Sequence, residues 1–218
     1  MAMENFIGKP LMVDDKKQRS SLEELHSLLL EMDRLKSVRR RNPISGSKRL
    51  ETTAEHSWHL GVAVMLFARF AAEPIDVDRA VSLAIIHDIP EVFVGDTFVY
   101  SAEIESRPGR EADAMRAFLG RHPQLAEVSA LVSQWGEYES CGSAEGRFVM
   151  ALDVLLPVFL NHANLANSSW LRYGVSAGQV RDRISKIEQS CPTLAKLALQ
   201  LIDDAVNKGA LKSDDSST

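Results

Sequence analysis

The chain has 218 residues, 45% of them hydrophobic, with 25 Lys and Arg against 30 Asp and Glu for a formal charge of −5. That length and apolar content suit one large domain or two small ones with a substantial core, and the acidic balance offers no general grip on nucleic acid, so no nucleic-acid partner is expected. Cys141 and Cys191 form no Cys-x-x-Cys pair and read as free thiols of a reducing compartment; with no signal-like N-terminus and no apolar run near the ~20 residues of a membrane helix, the chain reads as soluble and cytoplasmic, with no membrane partner.

The patterns are helical nearly throughout, without repeats or convincing strand alternation, so the predicted class is all-α. Residues 1–19 are polar and irregular and read as a flexible N-terminal arm. Ser21-Leu-Glu-Glu24 has the form of a capping box, and Leu22, Leu25, Leu28, Leu29, Met32 and Leu35 then mark one apolar stripe. The run Lys36-Ser-Val-Arg-Arg-Arg41 closes this helix, where cations complement the backbone dipole. Residues 42–50 are turn-rich and read as a loop. A second helix is predicted from Thr53 to Ala72, and Asp76 caps a third that ends around His87-Asp88. Pro90 then either kinks that helix or opens a new one. Residues 95–109 read as a loop, with further helices at 109–121, 123–139, 144–166, 177–190 and 193–207. Ser176 with Gln179 forms a second capping box, Pro192 is a helix entry and Gly209 a helix stop. A single domain over 20–208 and a disordered tail over 209–218 complete the reading.

Four positions carry the chemistry. His87-Asp88 ends the apolar run 80–86, with Glu91 four residues after His87 and Asp96 beyond it. A histidine after such a run is at least partly buried and needs partners for its polar atoms. His56 lies upstream in Ala-Glu-His-Ser-Trp-His, and Asp153 interrupts the apolar segment 148–160. A carboxylate in so apolar a helix must be paired, capping or metal-bound, and Arg147 is the salt-bridge alternative. Imidazole with carboxylate suits a borderline-to-hard divalent ion: Mn, Co, Fe, Ni, Zn or Mg. Near such an ion Glu91 and Asp96 become candidates for proton transfer and water orientation. His59, one turn from His56, reads as a pocket residue. Arginine forks match phosphate oxygens, so one of Arg39, Arg40 and Arg41, or else Arg49, is placed to hold a phosphate if that helix end faces the cluster.

The joint pattern resembles the HD superfamily of metal-dependent phosphohydrolases, an all-helical bundle with ligand order His … His-Asp … Asp. Closest is the branch of bacterial 5′-deoxynucleotidases, through Leu35-Lys36, Glu55-His56-Ser57 and His87-Asp-Ile-Pro-Glu91-Val-Phe-Val-Gly95-Asp96. After Asp96 this chain has Thr97-Phe-Val-Tyr100 where that branch has Leu-Pro or Ile-Pro, and segments 155–161 and 169–175 resemble a sister group of HD hydrolases. The resemblance implies an HD-domain helical bundle holding one divalent metal ion on His56, His87, Asp88 and Asp153. It implies Glu91 and Asp96 as catalytic acids, with Arg40, Arg41, Asp96, Thr97 and His59 facing a phosphorylated small molecule, a (deoxy)nucleoside 5′-monophosphate first. A phosphodiesterase, a nucleoside triphosphate hydrolase and a non-catalytic metal- and nucleotide-binding module are the alternatives. The apolar stripes of the terminal helices admit a homodimer, as the resemblance implies; an internal core explains them equally well.

Overall fold

The computed structural model describes residues 15–213. The parts of the predicted arm and tail at 1–14 and 214–218 lie outside the described residues. Helix α1 spans Asp15–Asp33, so residues 15–19 are helix rather than arm, and Ser21 lies inside it instead of capping it. The Lys, Gln and Arg before Ser21 are strong helix formers and carry the helix past that signal. Leu28 is buried, with Leu25 and Met32 packed beside it, whereas Leu22 and Leu29 remain exposed.

A 3-10 turn at Arg34–Ser37 ends this segment, so the basic run does not close the helix. It enters strand β1 (Arg39–Pro43), antiparallel to β2 (Leu50–Thr52). The strands replace part of the expected loop, and around this small two-stranded sheet the fold is the expected all-α bundle. Successive side chains of a strand point to opposite faces, so Arg40 and Asn42 turn inward while Arg39 and Arg41 turn outward. A run of arginines has no apolar alternation to announce this.

Helix α2 (Thr53–Phe67) starts at a capping box of Thr52 and Glu55 and stops short of Ala72, in a 3-10 turn at Ala68–Phe70. Helix α3 (Val77–Ile86) is capped by Asp76, whose side chain accepts from the Arg79 N–H at 3.1 Å. Pro90 begins a new helix rather than a kink: α4 covers Glu91–Val94. Then come α5 (Arg107–Arg121), α6 (Ala126–Glu139) and α7 (Ala144–Ala163). A short α8 (Ser169–Tyr173), absent from the sequence reading, precedes α9 (Ala177–Ser185) and α10 (Pro192–Asn207). Ser176 with Gln179 forms the expected capping box, and Pro192 opens α10. Gly209 stops the chain at φ +67°, but no disordered tail starts there: Ala210 and Leu211 are buried, and Lys212 O accepts from Ala177 N at 2.8 Å.

Helix α7 is the centre. Its residues Phe148, Val149, Leu152, Leu155 and Leu156 join Leu60, Val64, Leu83, Ile184 and Ile202 in the main core. By length and composition α7 would pass for a membrane span, contrary to the sequence reading, yet 61% of that stretch is buried as a core helix. A second core joins Leu28, Ile86, Ile89, Met115, Phe118 and Trp135. Residues 86–91, between α3 and α4, run along the border of the two cores.

Candidate metal centre

Each functional side chain is aimed by a break in regular structure. His56 sits in the first turn of α2, just after the β2–α2 capping box. His87 and Asp88 follow the last residue of α3, and Pro90 forces the turn that sets Glu91 at the head of α4. Gly95 (φ 74°, ψ 165°) lets the chain swing Asp96 back; that backbone region belongs almost wholly to glycine. Asp153 lies in α7, four residues before Pro157, which has no N–H to give the Asp153 carbonyl.

These residues converge. Donor atoms of His56, His87 and Asp88 lie within 4.8 Å of one another. Asp153 Oδ1 stands 2.8 Å from His56 Nε2 and 3.8 Å from His87 Nε2, and His87 Nε2 is 3.0 Å from Asp88 Oδ2. Arg147 is engaged with Glu73 at 2.6 Å, so the salt-bridge alternative for Asp153 falls away. His87 Nδ1 donates to the Ala84 carbonyl at 2.8 Å, which turns Nε2 toward the cluster. That Nε2 is buried and faces the Asp88 and Asp153 carboxylates, yet among the described residues it makes no well-aligned hydrogen bond. Two imidazoles and two carboxylates converging without well-aligned hydrogen bonds at His87 Nε2 fit a divalent cation.

Burial, helped by Arg40, lowers the pKa of His56 to about 4. At His87 burial works the same way, but Asp88 and Asp153 outweigh it and raise the pKa from 6.5 to about 9. Burial also opposes the charges on Asp88 and Asp153; His87, Arg40 and His56 prevail, holding Asp88 at about 2 and Asp153 well below the usual carboxylate range. The metal-free site therefore keeps a proton on His87, where a cation would bind. Because a ligand must be deprotonated, filling the site expels that proton. Affinity for Mn is expected to rise roughly tenfold per pH unit up to about pH 9. Calorimetric titration in buffers of different ionisation enthalpy reads the released proton; a pH-independent affinity would contradict the assignment. For the metal-free fold the sign is opposite: stability from this group is full below pH 6.5 and is lost as pH rises through about 9.

Arg40, 8% exposed, binds the acidic side of the cluster together. Its Nη1 meets Asp88 Oδ2 at 2.9 Å, Asp96 Oδ1 at 3.7 Å and Glu91 Oε1 at 4.0 Å, while Nε meets Glu51 Oε1 at 3.3 Å. Glu91 also accepts from Thr53 Oγ1 at 2.6 Å. Burial and Asp88 raise the pKa of Glu91 well above the usual carboxylate range, and that of Asp96 is raised as well. Arg41 and Thr97 lie on an adjoining cleft with Asp96, Phe98 and Tyr100, and Thr97 Oγ1 accepts from Arg110 at 2.7 Å. His59 stands apart, stacked on Trp58 in a separate groove with Arg49 and Glu55. Glu51 and Tyr138 escaped the sequence reading. The Tyr138 hydroxyl donates to Asp153 Oδ2 at 3.1 Å, yet in sequence it is one more aromatic residue on a helix.

An HD domain family model matches residues 32–195. The chain belongs to the HD domain family. Within it, the chain is 31% identical to human 5′-deoxynucleotidase HDDC2 over 131 residues, 57% of this chain and 62% of that protein. It is 28% identical over 113 residues to the 5′-deoxynucleotidase YBR242W of Saccharomyces cerevisiae, 50% of this chain and 46% of that one. The matched segments thus span about half to three-fifths of these relatives. The crystal structure of a predicted metal-dependent phosphohydrolase from Magnetospirillum magnetotacticum superposes with TM-score 0.79 at 33% identity, covering 88% of this chain and 99% of that one. The PH0347 protein of Pyrococcus horikoshii, at 19% identity and TM-score 0.57, shares the fold.

Proposed function

We propose that this HD domain is a metal-dependent phosphomonoesterase acting on (deoxy)nucleoside 5′-monophosphates. The observation that carries it is the placement of Glu91 and Asp96 next to the His56, His87, Asp88 and Asp153 group, joined to it through Arg40. The names of the human, yeast and Magnetospirillum relatives support the same chemistry. His56, His87, Asp88 and Asp153 would hold one divalent ion, which supplies an acidified water and neutralises phosphoryl charge.

The protein's own groups do the rest. Glu91, whose carboxyl burial and Asp88 raise well above the usual range, is placed to give a proton to the leaving oxygen, with Thr53 fixing its orientation. Asp96 and Thr97 face the sugar, and Arg41 borders the adjoining cleft, whose free volume of about 30 Å³ takes only part of a nucleoside and leaves the rest at its mouth. The residues after Asp96, Phe98 and Tyr100 among them, set the preference for base and sugar. The exposed Trp58, Met65, Leu66 and Ile85 of α2 and α3 support a homodimer through that face, which sedimentation equilibrium tests.

The experiment is phosphate release by metal-stripped protein refilled with Mn, Co, Zn or Mg, over a panel of deoxyribo- and ribonucleoside monophosphates. Release that depends on added metal is expected, with deoxy substrates first. Silence on every monophosphate would contradict the reading and favour diesters, triphosphates or simple binding.

A further inference from the structure

Among the acids around Arg40, Glu51 has no task in the proposed reaction. It lies on β2 and is 2% exposed. A carboxylate buried that far needs partners. Its Oε1 accepts from Arg40 Nε at 3.3 Å, and the Asn42 side chain hydrogen-bonds the same carboxylate. Asn42 is fixed in turn, because its Oδ1 accepts from Asn161 Nδ2 at 3.0 Å and so leaves its NH2 group for Glu51. Arg40 and Asn42, the inward polar residues of β1, therefore grip Glu51 from the neighbouring strand.

The same Oε1 stands 3.7 Å from His56 Nδ1. That is too long for a hydrogen bond, and the buried Nδ1 has no hydrogen-bond partner among the described residues. The two histidines of the cluster differ here. His87 Nδ1 donates to the Ala84 carbonyl at 2.8 Å, so that ring is fixed from behind. His56 instead has its Nε2 2.8 Å from Asp153 Oδ1. A carboxylate accepts, so Nε2 carries the hydrogen and Nδ1 turns a lone pair toward the lone pairs of Glu51. Two acceptors facing each other do not close to a hydrogen bond, which accounts for the 3.7 Å gap.

A cation in the cluster reverses this arrangement. To hold it, His56 Nε2 must offer its lone pair, and the single hydrogen of the neutral ring then stands on Nδ1. One hydrogen leaves Nε2 and one arrives on Nδ1, so the ring stays neutral. A buried N–H without an acceptor is costly, and Glu51 Oε1 is the carboxylate oxygen already beside it. Metal-holding histidines almost always give their other N–H to a carboxylate, a carbonyl or water, which fixes the ring and its tautomer.

We propose that Glu51 is a positioning residue of the metal centre: it accepts the Nδ1 hydrogen of His56 when a divalent ion occupies Nε2, and through the same oxygen it holds Arg40 beside Asp88. One carboxylate then sets both the imidazole on α2 and the guanidinium on β1. The inference rests on the metal reading of the cluster for the identity of the ligand.

The test is NMR of protein with 15N-labelled histidine, metal-free and loaded with diamagnetic Zn, together with calorimetric titration of Zn. The His56 hydrogen is expected on Nε2 in the metal-free protein and on Nδ1 in the loaded one. Its low-field resonance should move upfield in Glu51→Gln, whose neutral amide oxygen is the weaker acceptor. A merely structural role would move neither. Glu51→Ala is expected to weaken Zn binding roughly 10- to 100-fold, with part of the loss recovered in Glu51→Gln. If Glu51→Ala fails to fold, the Glu51→Gln resonance still decides. Zn bound with no hydrogen on His56 Nδ1, a resonance identical in wild type and Glu51→Gln, or wild-type Zn affinity in folded Glu51→Ala would overturn the proposal and leave the metal centre standing. No Zn binding by the wild type would overturn both. Glu51-dependent Zn binding without turnover of any nucleotide would sink the nucleotidase reading and support the positioning role.

Discussion

Replacing His87 with alanine is expected to empty the site of divalent metal and to abolish phosphate release while the protein stays folded. The imidazole is anchored by its Nδ1 hydrogen bond to Ala84 O, so Nε2 is held ready for the ion without reorganisation. Removing a hydrogen-bond partner behind a metal ligand typically costs roughly 10- to 100-fold in affinity; removing the ligand itself should cost more. The fold should persist because the large apolar core of α2, α3, α7, α9 and α10 outweighs the cavity left by one buried ring beside Tyr138. Metal content after dialysis, circular dichroism and phosphate release read the three parts separately. Full activity with no bound metal would defeat the mechanism.

Arg40→Ala should be the most destabilising single change in the site. It strips the shared cation from Glu51, Asp88, Glu91 and Asp96, all less than 10% exposed at the side chain. Asp88, the one of the four held firmly ionised, loses its arginine partner, and breaking a buried pair in this way costs about 3–5 kcal/mol. Part of that is recovered as the acids take up protons, so the loss should be greater at about pH 8 than at about pH 5. Denaturant unfolding at the two pH values measures it. A variant as stable as wild type at both would mean that Arg40 is not their counter-ion.

The parts of the site that are legible in sequence are those that break a pattern. Asp153 interrupts an apolar helix, and His87-Asp88 ends another just before Pro90; polarity in such places requires a partner. Helix starts were legible where a cap follows a chain break, as Asp76 does after Pro74 and Ser176 after Gly174. Ser21 has the same motif but no break before it, and the helix runs through. The β1 strand was hidden because its alternation is between inward and outward arginines, not between apolar and polar residues. Tyr138 was hidden for a related reason. On α6 it reads as one more residue of an amphipathic helix, and only its packing against the His87 ring, with centroids 5.2 Å apart, gives it a role. Arg40 and Arg41 could not be told apart until the strand assigned them opposite faces.

One divalent ion is expected to be held jointly by α2, the end of α3 and α7. Anomalous scattering from crystals of the Mn-loaded protein tests it most directly. One strong peak per chain is expected, roughly 2.0–2.4 Å from His56 Nε2, His87 Nε2 and one oxygen each of Asp88 and Asp153. A peak held by Glu51, Glu91 and Asp96 instead, with the two imidazoles unligated, would contradict it.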